Sequence, residues 1–397
     1  PAFIKSALGD SLHTGTELFP LGVASGDPGT GFIVLWTRLV EDPLTGLGLL
    51  AKNIPVTWEV ATDQGMRDVI ARGTTVARPE SGHAVNVPVR GLPDDRWLYY
   101  RFFAKGGFRG QQSRVGRTRT FPSRGIRNGG KRYGEACRTE SMRFAVVSCQ
   151  NYTQGFYPAW GDIAAQDLDF VVHTGDYIYE GGASSNPLIE TRNHVGGEIF
   201  TVEEYRNRYA LYRLDANLQE AHARLPFVVT WDDHEVDNNY AGRIAEVGAP
   251  FEGEAFLERR RNAFQAYAES MPIRTVARRS NRQPDVREYF PLARQLRFGN
   301  LADIHVLDTR QFRTDQPAGD GFGSTAVPDP TVAATLEAVF GEELFDRNGI
   351  VDTQATLLGW PQELRLAFAL ATSRSRWNVI AQQIMVMPWN LRTTGLL

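Results

Sequence analysis

Three short apolar runs in the second part of the chain each end abruptly in polar residues, and this pattern restricts the fold more than any other feature of the sequence. The runs are residues 144–147, 168–172 and 225–229, and the polar clusters that follow them are residues 148–151, 173–179 and 230–235. Strands that are apolar at consecutive positions are typical of parallel sheets buried on both faces. In such sheets the carboxyl ends of the strands form the ligand-binding edge. The sequence therefore predicts that these polar clusters meet in one site.

Helices alternate with these strands. Residues 156–166 and 254–270 have helical patterns, and Thr201 with Glu204 forms a capping-box pattern at the start of a third helix. Two further apolar strands are predicted at residues 304–307 and 377–381. Continuous apolar strands that alternate with helices predict an α/β domain.

The first part of the chain has a different pattern of short strands, most of which alternate apolar and polar residues. They are residues 32–36, 56–60, 84–87 and 97–102. Turn residues separate them, which is typical of a β-sandwich. Residues 121–139 are rich in Gly, Arg, Lys, Asn and Ser, as in a linker. We predict a β-sandwich over residues 1–123, a linker over 124–140 and the α/β domain over 141–397, which makes the whole chain α+β.

Composition excludes several functional classes. The chain is 42% hydrophobic and 22% charged, with a net charge of −3, so no specific recognition of nucleic acid is expected. The charged run at residues 258–261 is interpreted as a solvated helix face. No segment approaches the roughly 18 uncharged apolar residues of a membrane-spanning helix, so no transmembrane segment is expected. Two cysteines, Cys137 and Cys149, exclude a disulfide-rich scaffold but allow one disulfide.

The polar clusters contain side chains of the types that bind metal ions in proteins. Cys149 follows the first apolar run, Asp176 and Tyr179 follow the second, and Asp233 and His234 follow the third. Each has an ordinary interpretation when taken alone: a turn aspartate, a buried or disulfide-bonded thiol, a capped loop. Together they favour a metal site, because three strands that all end in ligand-type residues are not expected by chance.

In these clusters the sequence resembles the calcineurin-like metallophosphoesterases, and among them the PhoD-type alkaline phosphatases. The resemblance rests on residues 144–149, 175–180 and 231–239, with flanking matches at residues 21–28 and 308–313. The most specific stretch is Trp-Asp-Asp-His-Glu-Val-Asp-Asn-Asn at residues 231–239. The similarity extends from about Phe19 to about Met387, which is nearly the whole chain.

The resemblance implies both an architecture and an activity. PhoD-type proteins join an N-terminal sandwich, similar to immunoglobulin and fibronectin type III domains, to a four-layer αββα phosphoesterase domain. They are exported, commonly by the twin-arginine route, and cleave phosphomonoesters and phosphodiesters with Fe³⁺ and Ca²⁺. The sequence starts at Pro1 without a charged-then-apolar leader. We therefore expect a periplasmic, cell-surface or extracellular protein whose signal segment is absent from this sequence.

The resemblance also implies roles for individual residues. Cys149 and Tyr179 match the ligands of the iron, and Asp176 matches the carboxylate that bridges iron and calcium. Asp233, which replaces the family's usual Asn, and Asn238 match the calcium side. The chemistry is consistent, because thiolate and phenolate favour trivalent iron, whereas carboxylate and amide oxygens suit Ca²⁺.

Three further residues are assigned to the substrate. His234 matches the histidine that lies beside the leaving-group oxygen in this superfamily, where it is expected to donate a proton or a hydrogen bond. Two metals roughly 3.5–4 Å apart are expected to hold the phosphoryl oxygens and a metal-bound hydroxide for in-line attack. Arg310 and Arg313 follow a predicted strand and are candidates to bind the substrate phosphate. The sequence does not distinguish monoester from diester hydrolysis, because the same pair of metal ions serves both reactions.

The sequence departs from the family near its C-terminal end. PhoD-type proteins take further ligands from a Gly-Asp-Val-His-type motif on a later strand, whereas this sequence ends at Leu397 and has no histidine after His305. We expect a chain shortened relative to the family, with a metal site that lacks at least one Asp and one His and a sheet with an uncovered edge. The alternative is a non-catalytic fragment of a degenerate phosphoesterase that only binds metal or phosphate.

Overall fold

The computed structural model describes residues 18–46, 49, 52–105, 110–124, 127–128, 131–132, 141–183, 191–246, 248–274, 287–315 and 356–384. The strands in these regions are β1 (Val23–Gly29), β2 (Phe32–Arg38), β3 (Ile54–Ala61), β4 (Val69–Ala77), β5 (Ala84–Arg90), β6 (Trp97–Ala104), β7 (Gly116–Arg119), β8 (Arg127–Asn128), β9 (Lys131–Arg132), β10 (Phe144–Val147), β11 (Phe170–His173), β12 (Pro226–Val229), β13 (Arg294–Phe298), β14 (Ala302–Val306) and β15 (Trp377–Ala381). The α-helices are α1 (Pro158–Ala165), α2 (Val202–Arg213), α3 (Ala216–Arg224), α4 (Gly253–Ser270) and α5 (Trp360–Thr372). None of the described helices is both long and apolar enough to span a lipid bilayer.

The largest sheet has six strands in the order β10-β11-β12-β1-β2-β5. Its strands β10, β11 and β12 are parallel, as the apolar runs predict, and β1 pairs with β12 in the same direction. β2 and β5 continue the sheet in antiparallel pairing. At the junction, a Cβ on Gly26 would lie 2.4 Å from the carbonyl oxygen of Pro272, so only glycine fits there. One sheet therefore joins the N-terminal part of the chain to the α/β part.

A second, antiparallel sheet has the order β4-β3-β6-β7 and contains the predicted strands 56–60 and 97–102, whereas the predicted strands 32–36 and 84–87 are β2 and β5 of the largest sheet. Alternate residues of β6 are buried, as the sequence pattern predicts. Leu98, Tyr100 and Phe102 of β6 pack with Ile33 and Leu35 of β2 in one hydrophobic cluster. The second sheet and the N-terminal strands of the first sheet thus share a core.

A third sheet, in the order β13-β14-β15, covers one face of the parallel strands. Ile304 and Val306 of β14 belong to the same hydrophobic cluster as Phe170 of β11. On the opposite face, Trp160 of α1 stacks on Phe227 of β12, with ring centroids 5.6 Å apart. The central parallel strands β11 and β12 are therefore buried on both faces, which explains why their sequences are continuously apolar, whereas β10 lies at the sheet edge and is only partly buried.

Helix α2 begins at the predicted capping box. The Thr201 hydroxyl accepts the backbone N–H of Glu204 at 3.3 Å, and the Glu204 carboxylate accepts the backbone N–H of Thr201 at 2.8 Å. The helix then places Tyr205, Tyr209 and Tyr212 in the core that covers the large sheet. The capping pattern thus sets the start of a helix that packs behind the candidate site.

One part of the described surface is apolar and uncovered. Trp360, Leu364 and Phe368 of α5 and Trp377 of β15 are each between 59% and 71% exposed. We refer to these four residues as the α5–β15 face. Val146 of β10, the edge strand of the large sheet, is 62% exposed as well.

The interpretation of residues 258–261 as a solvated helix face is wrong for two of the four residues, since Glu258 is exposed and Arg261 is only partly buried. Arg259 and Arg260 are buried. The Arg259 guanidinium donates to Asp237 at 2.7 Å and to Glu198 at 2.7 Å. The four residues form one charged stretch in the sequence. The acidic partners that allow Arg259 to be buried lie in segments distant from it in sequence.

The predicted domain boundaries remain predictions. The linker proposed for residues 124–140 lies largely outside the described residues, apart from the short antiparallel pair β8 and β9. The pairing of β1 with β12 joins residues from both sides of this linker into one sheet. The sequence patterns, which are local, did not predict that pairing.

Candidate metal centre

The polar residues that follow β10, β11 and β12 converge at one edge of the large sheet, as predicted. Cys149 and Asp176 both have a left-handed backbone, with φ of 55° and 53°, a conformation that is costly for residues other than glycine and that clusters at functional sites. The Cys149 N–H donates to the Gly175 carbonyl at 3.1 Å, and the Gln150 N–H donates to the Asp176 carbonyl at 3.1 Å. Each strained turn is therefore held by the other.

Gly175 lets the turn after β11 lie directly against the loop after β12. Its φ is 114°, and a Cβ at this position would lie 2.3 Å from the backbone nitrogen of Asp232. Any other residue would push the two segments apart. The glycine of the Gly-Asp pair thus sets the distance between Asp176 and the loop that carries Asp233.

Asp176, Asp233 and His234 form a group that could hold a metal ion, because one ligand atom from each lies within 4.8 Å of the others. Both carboxylates are buried. Burial, and then the charge of Asp233, raise the pKa of Asp176. Its Oδ1 is buried without a hydrogen-bond partner. Such an oxygen is costly unless it is paired, and a cation would pair it, so the residues fit a bound metal ion.

Cys149 and Tyr179 adjoin the same carboxylate. The Tyr179 hydroxyl donates to Asp176 Oδ2 at 3.1 Å, and the Cys149 thiol interacts electrostatically with the same carboxylate. Burial and the charge of Asp176 raise the pKa of Cys149 to about 11 and hold that of Tyr179 above its usual range. Both groups are thus neutral without a cation, whereas a metal ion would deprotonate a coordinating thiol. Cys149 is free of disulfides in the structure; Cys137 lies outside the described residues.

His234 is held by a buried carboxylate that the sequence analysis did not select. Its Nδ1 lies 2.7 Å from Glu180 Oε2, and the Tyr179 ring packs against it with centroids 4.2 Å apart. Burial opposes the charged imidazolium, but the hydrogen bond and charge of Glu180 outweigh it and raise the pKa of His234 to about 10. A protonated His234 is able to donate a proton or a hydrogen bond.

Asn238, a predicted calcium ligand, lies beside this pair. Its backbone N–H donates to Glu180 Oε1 at 2.7 Å, and its side-chain amide donates to Glu246. The neighbouring Asn239 donates its backbone N–H to Asp233 Oδ2 at 2.7 Å. The loop after β12 therefore folds back so that Asn239 contacts Asp233, and Asn238 is the preceding residue in this loop.

Glu235 was also missed by the sequence analysis, although it follows the motif histidine directly. It is fully buried. Its Oε2 accepts the backbone N–H of Asp176 at 3.0 Å and of Asp232 at 2.8 Å, and its Oε1 accepts the N–H of Tyr177 at 2.7 Å. One carboxylate thus joins the turn after β11 to the loop after β12.

The two predicted phosphate-binding arginines lie beside these carboxylates. Arg310 Nε donates to Asp232 Oδ1 at 2.5 Å, and its Nη2 lies 3.3 Å from Asp233 Oδ1. Its Nη1 and the Nε of Arg313 are buried without hydrogen-bond partners. Arg310 therefore balances the charge of two carboxylates and keeps one unpaired nitrogen.

The chain is similar to known proteins over most of its length. Residues 144–395 match the family profile described as PhoD-like phosphatase, and residues 5–122 match that of its N-terminal domain. Alkaline phosphatase D of Bacillus subtilis (strain 168) is 43% identical over 379 residues, which cover 95% of this chain and 58% of that protein. A solved structure of PhoD is 40% identical, with a TM-score of 0.78, and the match covers 96% of this chain and 65% of that chain.

The chain spans less than two thirds of the length of these two relatives. The first profile nevertheless covers more than half of the chain and contains Cys149, Asp176, Asp233 and His234. The similarity to the PhoD structure extends over both parts of the chain. This chain belongs to the PhoD-like phosphatase family.

Proposed function

We propose that the chain is a metal-dependent alkaline phosphatase and phosphodiesterase that acts on small phosphate esters. The observation that carries the proposal is the convergence of a thiol, a phenol, two carboxylates and an imidazole around Asp176 at the strand ends. The name of the Bacillus subtilis relative, alkaline phosphatase D, supports the same reaction.

The metals we propose are Fe³⁺ and Ca²⁺. Cys149 and Tyr179 would hold the iron, Asp233 and Asn238 would hold the calcium, and the Asp176 carboxylate would contribute to both. The contacts of Asp176 with the thiol and the phenol, and its closeness to Asp233, support this division. When bound, such ions supply Lewis-acid activation of water and of the phosphoryl group.

The other residues of the site bind and orient the substrate. His234, held by Glu180, donates a proton or a hydrogen bond to the leaving oxygen. Arg310 presents its unpaired Nη1, and Arg313 its unpaired Nε, to the phosphate oxygens. In this scheme Asp232 and Asp233 hold the Arg310 guanidinium in place.

We also propose the architecture and the location that the family resemblance implies. Residues 1–123 form an immunoglobulin-like sandwich, and residues 141–397 form an αββα phosphoesterase domain. The shared core of the first part and the stacked sheets of the second support this division. The protein works outside the cytoplasm, as exported members of the family do.

The test is hydrolysis of p-nitrophenyl phosphate and bis-p-nitrophenyl phosphate by the purified chain, with bound metals counted by mass spectrometry. We expect turnover of both compounds, its loss after chelation, and its return after addition of iron and calcium. Bound metal without turnover favours the non-catalytic alternative. Absence of both metal and turnover contradicts both functions.

The iron assignment has a separate test. In Cys149→Ala we expect iron to be lost while calcium is retained, because the variant removes the thiol and leaves Asp233. Ser141→Ala, which changes an exposed residue before the same strand, is the matched control and is expected to keep both metals. Iron retained in Cys149→Ala excludes the thiolate as its ligand.

A further inference from the structure

We infer that Glu235 is a positioning residue whose carboxylate sets the separation of the two metal-binding segments and thereby the metal affinity of the site. The inference rests on the proposed metal-dependent function. It assigns to Glu235 no contact with the substrate and no metal bond.

The geometry of the Glu235 carboxylate is the first support. It accepts three backbone N–H groups at 2.7–3.0 Å, from Asp176 and Tyr177 after β11 and from Asp232 after β12. No other side chain among the described hydrogen bonds joins backbone donors of both segments. The residues that adjoin these donors, Asp176 and Asp233, are the ones that converge on the candidate metal position.

The forces that act on these segments are the second support. Asp176 has a strained left-handed backbone, and the buried carboxylates of Asp176 and Asp233 repel each other when no cation lies between them. Both effects favour separation of the segments. Breaking the three hydrogen bonds to the Glu235 carboxylate would leave buried backbone N–H groups unpaired, which is costly, so these bonds oppose that separation.

The same geometry argues against a role as a metal ligand. Both oxygens of Glu235 already accept hydrogen bonds. In the part of the chain that the structure describes, the group able to hold a metal contains Asp176, Asp233 and His234 but not Glu235. The carboxylate therefore acts on the ligands through the backbone.

Glu235→Gln is the sharpest test, because glutamine has nearly the same shape but only one acceptor oxygen. Its NH₂ group would face backbone N–H donors. We expect metal affinity to fall about 10- to 100-fold, the range typical for residues that support metal ligands. In the variant fully loaded with metal, we expect KM for p-nitrophenyl phosphate to stay at the wild-type value.

The control is Asp303→Asn, another buried carboxylate, which lies on β14 and bonds to Arg297 at 2.8 Å and to Ser373 at 3.0 Å. It is expected to lose thermal stability but to keep wild-type metal affinity. Affinity is measured by equilibrium dialysis against Ca²⁺ and against iron separately, with melting temperatures recorded in chelator. Equal metal affinity in Glu235→Gln and wild type, or an equal loss in both variants, overturns the inference.

Two further measurements keep the test decisive. Glu235→Asp retains the carboxyl group but is one methylene shorter, so we expect an intermediate loss of affinity; it replaces the glutamine variant if that protein does not fold. In metal-free wild type, the backbone amides of Asp176, Tyr177 and Asp232 are expected to exchange slowly with solvent. Fast exchange would contradict the proposed hydrogen bonds from these amides to Glu235. A wild-type chain that binds neither metal would contradict the proposed function instead.

Discussion

The metal centre and the α5–β15 face differ in the side chains that they bury and expose. In the metal centre, charged side chains are buried and nearly every oxygen has a hydrogen-bond partner. On the α5–β15 face, large apolar side chains are exposed. Polar contacts therefore define the geometry of the metal centre, whereas the apolar side chains of the α5–β15 face contribute little burial.

A short chain of hydrogen bonds connects the two regions. The Gln362 side chain of α5 accepts the Asp308 N–H at 2.9 Å and donates to the Asp308 carbonyl at 2.8 Å. The Asp308 carboxylate in turn accepts the Trp231 indole N–H at 3.2 Å, next to Asp232. Because the apolar side chains of α5 are exposed, we expect this amide to be its main attachment.

Removal of a charge from the metal centre should give the largest effect. On the proposed function, we expect the rate of p-nitrophenyl phosphate hydrolysis to fall by roughly 100-fold in Asp176→Asn. The melting temperature in chelator is expected to equal or exceed that of wild type, because burial and the charge of Asp233 disfavour the Asp176 carboxylate. Asp162→Asn, on the exposed side of α1, should leave both quantities unchanged. If metal-free Asp176→Asn melts at a lower temperature than metal-free wild type, the charge of the Asp176 carboxylate does not destabilise the metal-free site.

The close contact at Gly175 should give the next effect. Gly175→Ala is expected to lower the free energy of unfolding by about 1–3 kcal/mol, because its Cβ would overlap the backbone of Asp232. Activity should fall with it, since the segments move apart. Gly181→Ala is the control, as a Cβ there meets nothing within 4 Å. Denaturant unfolding measures the difference, and equal stability of both variants contradicts the packing argument.

The attachment of α5 can be tested at a single residue. Gln362→Ala leaves the buried N–H and C=O of Asp308 unpaired, which should cost about 1–3 kcal/mol. Hydrogen exchange should increase first in α5, ahead of the large sheet. Arg365→Ala, at an exposed position on the same helix, is the matched control. Unchanged protection of α5 in Gln362→Ala would show that apolar contacts hold the helix after all.

Substitution on the α5–β15 face should give the smallest effect. Because Phe368 is 71% exposed, Phe368→Gln is expected to change the free energy of unfolding by no more than about 0.5 kcal/mol. Phe170→Ala, in the core between the sheets, is expected to cost about 3–5 kcal/mol. Calorimetry of the two variants compares them. A loss above 1 kcal/mol for Phe368→Gln would mean that another surface covers this face in solution.

Much of the fold was predictable because its signals are local. The capping box of Thr201 and Glu204 depends on residues three positions apart, and the apolar runs of the parallel strands require only burial on both faces. The convergence of Asp176 with the loop after β12 followed from the rule that parallel strands end at one edge. These predictions needed no knowledge of distant partners.

The features that were missed all depend on distant partners. Arg259 has the sequence context of a surface residue, and only Asp237 and Glu198, from other segments, make its burial favourable. Glu180 and Glu235 stand beside stronger candidates, and only the fold shows which groups their carboxylates hold. Sequence patterns identify side chains able to bind metal more readily than those that hold the binding groups in place.

The shared sheet has a consequence for the order in which this protein can be made. β1 pairs with a strand that follows it by about 200 residues, through Ser25 with Pro226 and Gly26 with Phe227. During synthesis, β1 therefore leaves the ribosome long before its parallel neighbour exists, and its open edge is available to other strands in the meantime. The first part of the chain is thus the first to be made but among the last to be finished.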